Sequence, residues 1–174
     1  HFRPKGRVDP YPEGKPDYPG YYWLAYEWEN LFLCKSRINS SDKRNYFPLA
    51  EGSPRNRTHH DTKTEVPILI NPSTEDPRKH IRFHNEEPCP YQGSSKGKFN
   101  IEFFQLRHTE FDEARRSHLA FIRTIKELID KGIAEENDVS EYTEPIDLLK
   151  KAMKPDKQFS SMVIDFLKGW PHIQ

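Results

Sequence analysis

Three polar side chains stand at spacings that could gather chemistry. His1 opens the stretch His1-Phe2-Arg3-Pro4-Lys5, Asn30 sits in Glu29-Asn30-Leu31, and Asn39 follows nine residues later, just ahead of Lys43. A neutral imidazole accepts a proton near neutral pH. An amide carbonyl oxygen suits a hard cation such as Mg²⁺, which keeps several of its own waters. The gap from Asn30 to Asn39 is long enough for one strand and the turn into a helix, so that two element ends can converge on one ion. A base beside such a cation is the equipment of metal-assisted hydrolysis, in which the cation stabilises charge on the leaving oxygen. Each residue also has a plain alternative: a chain end for His1, a turn residue for Asn30, a helix cap for Asn39.

The pattern resembles the HNH nuclease motif. That motif has a His on a strand with Pro two or three residues on, then Asn-Leu after a loop, a second Asn nine residues beyond, and a basic residue soon after. The likeness extends through Trp23, Glu27-Trp28-Glu29-Asn30-Leu31, Lys43-Arg44-Asn45-Tyr46-Phe47-Pro48-Leu49, Glu65-Val66-Pro67-Ile68-Leu69-Ile70-Asn71-Pro72, Asp76-Pro77 and Phe83. These segments, with residues 104–119 and 159–167, are similar to the HNH proteins of bacterial anti-phage systems, the Septu-type and retron-associated partners of an ABC-type ATPase.

The resemblance implies His1 as general base, Asn30 as the residue that orients the His1 ring and ties its loop, and Asn39 as a ligand of Mg²⁺ or Mn²⁺. It implies a further acidic ligand just before His1, a position outside the sequence. Lys43, Arg44, Arg37 and Arg57 are then the natural phosphate contacts, with Arg55 beside them. Zinc-bearing relatives place cysteines five and eight residues after the middle Asn; here those positions are Lys35 and Ile38, so no zinc is expected. The activity implied is metal-dependent hydrolysis of phosphodiester bonds in DNA, as effector of a defence complex with an ATPase. Two other classes remain open: a non-catalytic HNH-like adaptor, and an RNA- or tRNA-cleaving toxin.

Composition narrows the field. The chain has 174 residues, 34% of them hydrophobic and 13% aromatic, which suits one domain or a small domain with an appendage and a core rich in Phe, Tyr and Trp. No run approaches the roughly 18–20 apolar residues of a spanning helix, so no membrane partner is expected. Net charge is zero, which argues mildly against a free-standing nucleic-acid binder. Its distribution is uneven. Residues 31–60 hold six basic and two acidic residues, a net of +4, and residues 130–147 hold seven acidic and one basic, a net of −6. A positive lobe and an acidic lobe fit a polyanion site and a protein contact, or two solvated faces. Two cysteines, Cys34 and Cys89, cannot build a disulfide framework. No signal peptide opens the sequence, and a cytoplasmic setting in a bacterium is expected. Cys34 reads as a buried small hydrophobe and Cys89 as a loop thiol.

The elements that must position these residues are a mixture. Residues 1–20, with Pro4, Pro10, Pro12, Pro16 and Pro19, read as an irregular loop. Trp23 and Trp28 read as core. Residues 30–34 read as a short buried strand, 40–45 as a short helix, and 66–70 as a strand. Residues 80–83 and 99–106 alternate well enough to pair as strands across the loop 93–97. His59-His60-Asp61 reads as a solvated loop, His80 and His84 as surface, and Asp76 as a turn former. From Thr109, as N-cap, the face Phe111, Ala114, His118, Phe121, Ile122, Ile125, Leu128 and Ile129 predicts a long helix stopped by Gly132. Residues 145–153 predict a second helix. Phe159, Met162, Val163, Phe166, Leu167 and Trp170 predict a third, with Asp156 as cap. The fold class expected is α+β, with a ββα-metal (HNH) core over residues 1–62 and, over residues 63–174, appended strands and a C-terminal helical region for packing and partner docking.

Overall fold

The computed structural model describes residues 1–12, 14, 18–135 and 138–173; Pro16 of the proline-rich opening and Glu136 of the acidic run lie outside the described residues. The fold is α+β, with helices predominating. In chain order the regular elements are β1 (Arg7–Val8), β2 (Tyr18–Pro19), a π-helical turn at Ile38–Lys43, β3 (Ile81–His84), β4 (Glu87–Pro90), α1 (Ser95–Phe103), α2 (Thr109–Ala134), α3 (Thr143–Ala152) and α4 (Ser160–Phe166). β1 pairs with β2 and β3 with β4, both antiparallel. Among the described residues no helix is long and apolar enough to cross a membrane.

Two apolar clusters hold these elements. One joins Val8, Tyr21, Phe47, Leu69 and Phe103, with Phe2, Tyr18 and Trp23 packed on it. It gathers distant segments because each offers one large ring, and the rings meet edge to face: Phe2 on Phe47 at 5.3 Å and Tyr21 on Phe47 at 5.5 Å. The other joins Ile122 and Ile129 of α2, Ile146 and Leu149 of α3, Val163 of α4, and Leu167 and Trp170. Here the helices form because their apolar residues recur three and four apart, as read from the sequence. Asp165 ties α4 to the β3 hairpin: its carboxylate accepts from Arg78 at 2.8 Å, Arg82 at 3.0 Å and the Phe83 amide at 2.9 Å.

Several expectations need correction. Residues 30–34 form no strand; Leu33 is fully exposed and Cys34 is exposed, while Phe32 meets the aromatic cluster only at its edge, 6.1 Å from the Phe2 ring. Trp28 is exposed too, at the surface of a short 3₁₀ turn. Residues 66–70 make only an isolated bridge, Leu49 to Pro67. β3 pairs with β4, not with residues 99–106. Asn85 takes φ of 54°, a left-handed value Asn tolerates, and closes a tight hairpin.

Residues 99–106 lie largely in α1 because Phe99 and Phe103 also satisfy the four-residue helical spacing. Buried Asn100 anchors that helix, accepting from the Ile70 amide at 3.0 Å and donating to the Ile68 carbonyl at 2.9 Å. His108, not Thr109, caps α2, and Gly132 lies inside that helix beneath Tyr142. The buried face of α2 is Phe111, Arg115, Leu119, Ile122 and Ile129, while Phe121 and Leu128 are exposed. Asp156 does not cap α4, whose preceding residue is Phe159. His80 is half-buried, bonded to Glu75 at 2.7 Å and Ser94 at 2.9 Å. Asp76 does form its turn, accepting from the Arg78 amide at 2.9 Å.

Candidate active site

The segment that carries His1 is held from both sides. Residues 4 and 6 accept from the Tyr21 amide at 2.8 Å and the Gly20 amide at 3.2 Å. Gly20 is required at this crossing, since a Cβ there would come within 2.4 Å of the Lys5 backbone. Arg3 lies over the Phe47 ring at 4.7 Å and pairs with buried Glu65 at 2.9 Å. Glu65 also accepts from the Tyr21 hydroxyl at 2.7 Å, and burial together with that bond pushes the Tyr21 hydroxyl pKa upward.

Asn30 supplies the second anchor. It is 4% exposed, and every bond of its side chain goes to backbone. Its Oδ1 accepts from the Arg3 amide at 2.6 Å; its Nδ2 donates to the Arg3 carbonyl at 3.0 Å and the Leu24 carbonyl at 3.0 Å. The Asn30 carbonyl accepts from the Phe2 amide at 2.9 Å. One side chain therefore grips the residues just after His1 and the turn just before Ala25. The Ala25 carbonyl lies 2.9 Å from Nε2 of His1. A carbonyl only accepts, so the hydrogen sits on Nε2 and Nδ1 keeps the basic lone pair. Asn30 thus ties the loop by direct bonds and bears on the His1 ring through backbone.

Replacing Asn30 with Ala leaves the Arg3 amide and carbonyl without partners and the Leu24 carbonyl with only the longer bond from the Glu27 amide at 3.4 Å, a loss of about 2–4 kcal/mol. Urea denaturation should show that drop; an unchanged midpoint would mean the three backbone groups find other partners.

Asn39 reaches the same place from the π-helical turn Ile38–Lys43, an insertion frequent at functional sites. Its amide donates to the Lys35 carbonyl at 3.1 Å and its carbonyl accepts from the Arg44 amide at 2.9 Å. Its side chain makes no hydrogen bond among the described residues. His1 and Asn39 together line two adjoining cavities. The first, of about 440 Å³, is walled by Phe2, Cys34, Lys43 and Phe104. The second, of about 360 Å³, is walled by Lys5, Arg44 and Asn45. Asn30 lines neither.

The four predicted phosphate contacts fall in different surroundings. Lys43 is 7% exposed, donates toward the Tyr46 carbonyl at 3.4 Å, and is lowered by burial to a pKa of about 8. It is a buried cation in the cavity wall, not an open surface one. Arg44 is exposed beside His1 and Asn39, with Nε donating to the Ser41 carbonyl at 3.0 Å. Arg37 turns toward α2, donating to Gln105 at 3.0 Å and lying 5.5 Å from the Phe111 ring. Arg57 stands over Tyr18 at 4.8 Å, in a separate cavity. Lys5 also lines the second cavity, and only its nearness to His1 in the sequence marks it.

For a metal, the donor offered here is the side-chain amide oxygen of Asn39, with His1 beside it as the base. Among the described residues no group of three His, Cys, Asp or Glu side chains gathers to hold an ion. An amide oxygen with waters in the other places suits Mg²⁺, whereas zinc calls for several imidazole or thiolate ligands. Asp42 is buried nearby in sequence, with Oδ2 unpaired among the described residues. His59 bonds the Tyr22 hydroxyl at 2.8 Å and stacks on His60, apart from these cavities.

The chain is similar to the Septu protein PtuB of Bacillus mycoides (strain KBAB4), with 33% identity over 168 residues, 96% of this chain and 57% of that protein. It therefore spans a little over half the length of the curated relative it matches. No protein-family model and no solved structure matches it.

Proposed function

We propose that this chain, similar over 96% of its length to a Septu protein PtuB of which it covers 57%, is a Septu-type, metal-dependent HNH endonuclease cutting phosphodiester bonds in DNA. It would serve as the nuclease part of an anti-phage complex with an ABC-type ATPase. The observation that carries this reading is the pair of cavities shared by His1 and Asn39, with His1 fixed to the Ala25 carbonyl.

The geometry supports the following roles. His1 Nδ1 takes a proton from the attacking water, while Nε2 stays bonded to Ala25 and keeps the ring from turning. The side-chain oxygen of Asn39 would hold the cation. A hydrated Mg²⁺ or Mn²⁺ held by the Asn39 side chain would supply charge stabilisation on the phosphate and the leaving oxygen. Lys5 and Arg44, on the wall beyond them, receive the phosphate that flanks the cut. Asn30 sets the distance between the His1 segment and the turn that orients it.

The helical region would meet the ATPase. An open groove between α2 and α3 exposes Phe121, Leu128 and Leu148 at 57%, 57% and 46% and is rimmed by Glu144 and Asp147. An apolar strip with acidic edges fits a basic amphipathic helix of that partner. Leu128→Glu should abolish co-elution of the two proteins while the melting temperature stays within a few degrees; persistent co-elution would place the contact elsewhere.

The nuclease reading is tested with the full-length protein and its ATPase, given plasmid DNA and RNA side by side in Mg²⁺ or Mn²⁺. DNA cleavage that EDTA stops is the expected result. Cleavage of RNA alone makes the protein a ribonuclease. Intact DNA and RNA under all conditions would leave a non-catalytic adaptor.

A further inference from the structure

The two cavities that meet at His1 and Asn39 share only those two lining residues and differ in kind. The one with Lys5 and Arg44 is polar and cationic. The other, of about 440 Å³, is walled chiefly by apolar side chains, among them Phe2, Phe32, Ile38, Phe104 and Leu106. Its volume falls in the range of small-ligand sites, which are mostly apolar with a few placed polar groups.

One of those polar groups is Lys43. It lines the apolar cavity and is 7% exposed. An ammonium has three N–H donors. Among the described residues this one has a single acceptor, the Tyr46 carbonyl at the long distance of 3.4 Å. Two donors of a buried amine are thus left in the wall of a cavity that offers them little else.

A nucleotide has the same two halves as this pair of cavities. Its phosphate is anionic and suits Lys5 and Arg44. Its base is flat and largely apolar, with hydrogen-bond acceptors on its edge. A base leaves its neighbours for a protein pocket at the cost of unstacking, and aromatic walls offset that cost whatever the base.

We propose that the apolar cavity takes one unstacked base of the substrate strand, next to the phosphate received by Lys5 and Arg44. Phe2, Phe32 and Phe104 are the rings it packs against, and one Lys43 donor reaches an acceptor on its edge. This assignment rests on the nuclease reading for its substrate and adds a requirement for the base itself.

The test is fluorescence anisotropy of two labelled single strands of equal length, one bearing bases and one abasic throughout, with the full-length protein in EDTA. The strands carry the same phosphates and differ only in the bases. Ile38→Trp and Leu106→Trp, on separate segments, each fill the cavity with an indole. Each variant should bind the base-bearing strand on the order of tenfold more weakly than wild type. The slope of log affinity against log salt should stay unchanged, because no phosphate contact is lost. Affinity for the abasic strand should not move. Equal losses on both strands, wild-type affinity of both variants for the base-bearing strand, or a wild type that binds neither strand overturns the proposal. Thermal unfolding keeps a folding defect from passing as a binding defect, and the second variant stands if the first fails to fold. EDTA prevents cleavage, so failure here leaves the nuclease reading to the plasmid assay. Uncut plasmid with a protein that passes this test removes the nuclease reading and keeps the base site.

Discussion

His1→Ala in the full-length protein should lower the turnover of phosphodiester cleavage by about two to four orders of magnitude, the usual contribution of a positioned general base. The fold should hardly notice. The imidazole has one hydrogen bond, to the Ala25 carbonyl at 2.9 Å, and His1 is half-buried at the rim of the cavity it shares with Asn39. The segment behind it is held by Arg3, Pro4 and Gly6 through contacts that do not involve the ring. The loss should therefore fall on kcat, with KM nearly unchanged, since Lys5 and Arg44 still receive the substrate. Asn39→Ala should behave differently, raising the Mg²⁺ concentration needed for half-maximal cleavage, because it removes a cation ligand and leaves the base. Titrating Mg²⁺ against both variants separates the roles. Wild-type turnover in His1→Ala would sink the assignment of the base.

The readable and the unreadable parts of this chain differ in physical kind. Helices α2, α3 and α4 were legible because a helix that buries one face must repeat its apolar residues every three to four positions, and no distant segment alters that. Residues 99–106 were ambiguous because Phe99, Ile101 and Phe103 satisfy a period of two while Phe99 and Phe103 satisfy a helix turn. What settled them was Asn100, whose amide bridges to residues 68 and 70, a long-range bond invisible in a local pattern. Residues 30–34 misled for the opposite reason: an apolar run implies burial, yet Phe32 meets that core only at its edge and Leu33 is fully exposed. In the proposed site, spacing singled out His1, Asn30 and Asn39, of which His1 and Asn39 line the same two cavities. It could not show that His1 rests on the carbonyl of Ala25, because any residue type supplies a carbonyl. Nor could it show that Asn30 acts on His1 through backbone.

The same limit hid the burial of Lys43. Unfolded, its amine titrates at about 10.5; folded, burial lowers it to about 8, against a smaller opposing pull from the Cys34 thiol. Between those two values the unfolded chain binds more protons than the folded one, so stability rises with pH across that window. Below about pH 8 the amine is charged in both states, and the folded state carries the full desolvation cost, about 3 kcal/mol. Lys43→Met removes that cost. Urea denaturation should show the variant more stable than wild type at neutral pH by up to about 3 kcal/mol, with no rise between pH 8 and pH 10. A wild-type curve flat over that range would mean the amine reaches solvent and does not belong to the cavity wall. A cation kept buried at such a cost, in the same wall as His1 and Asn39, argues for a task that stability does not explain. Lys43→Met should therefore gain stability and lose cleavage together, since a charge a few side chains from the base is placed to meet a phosphate.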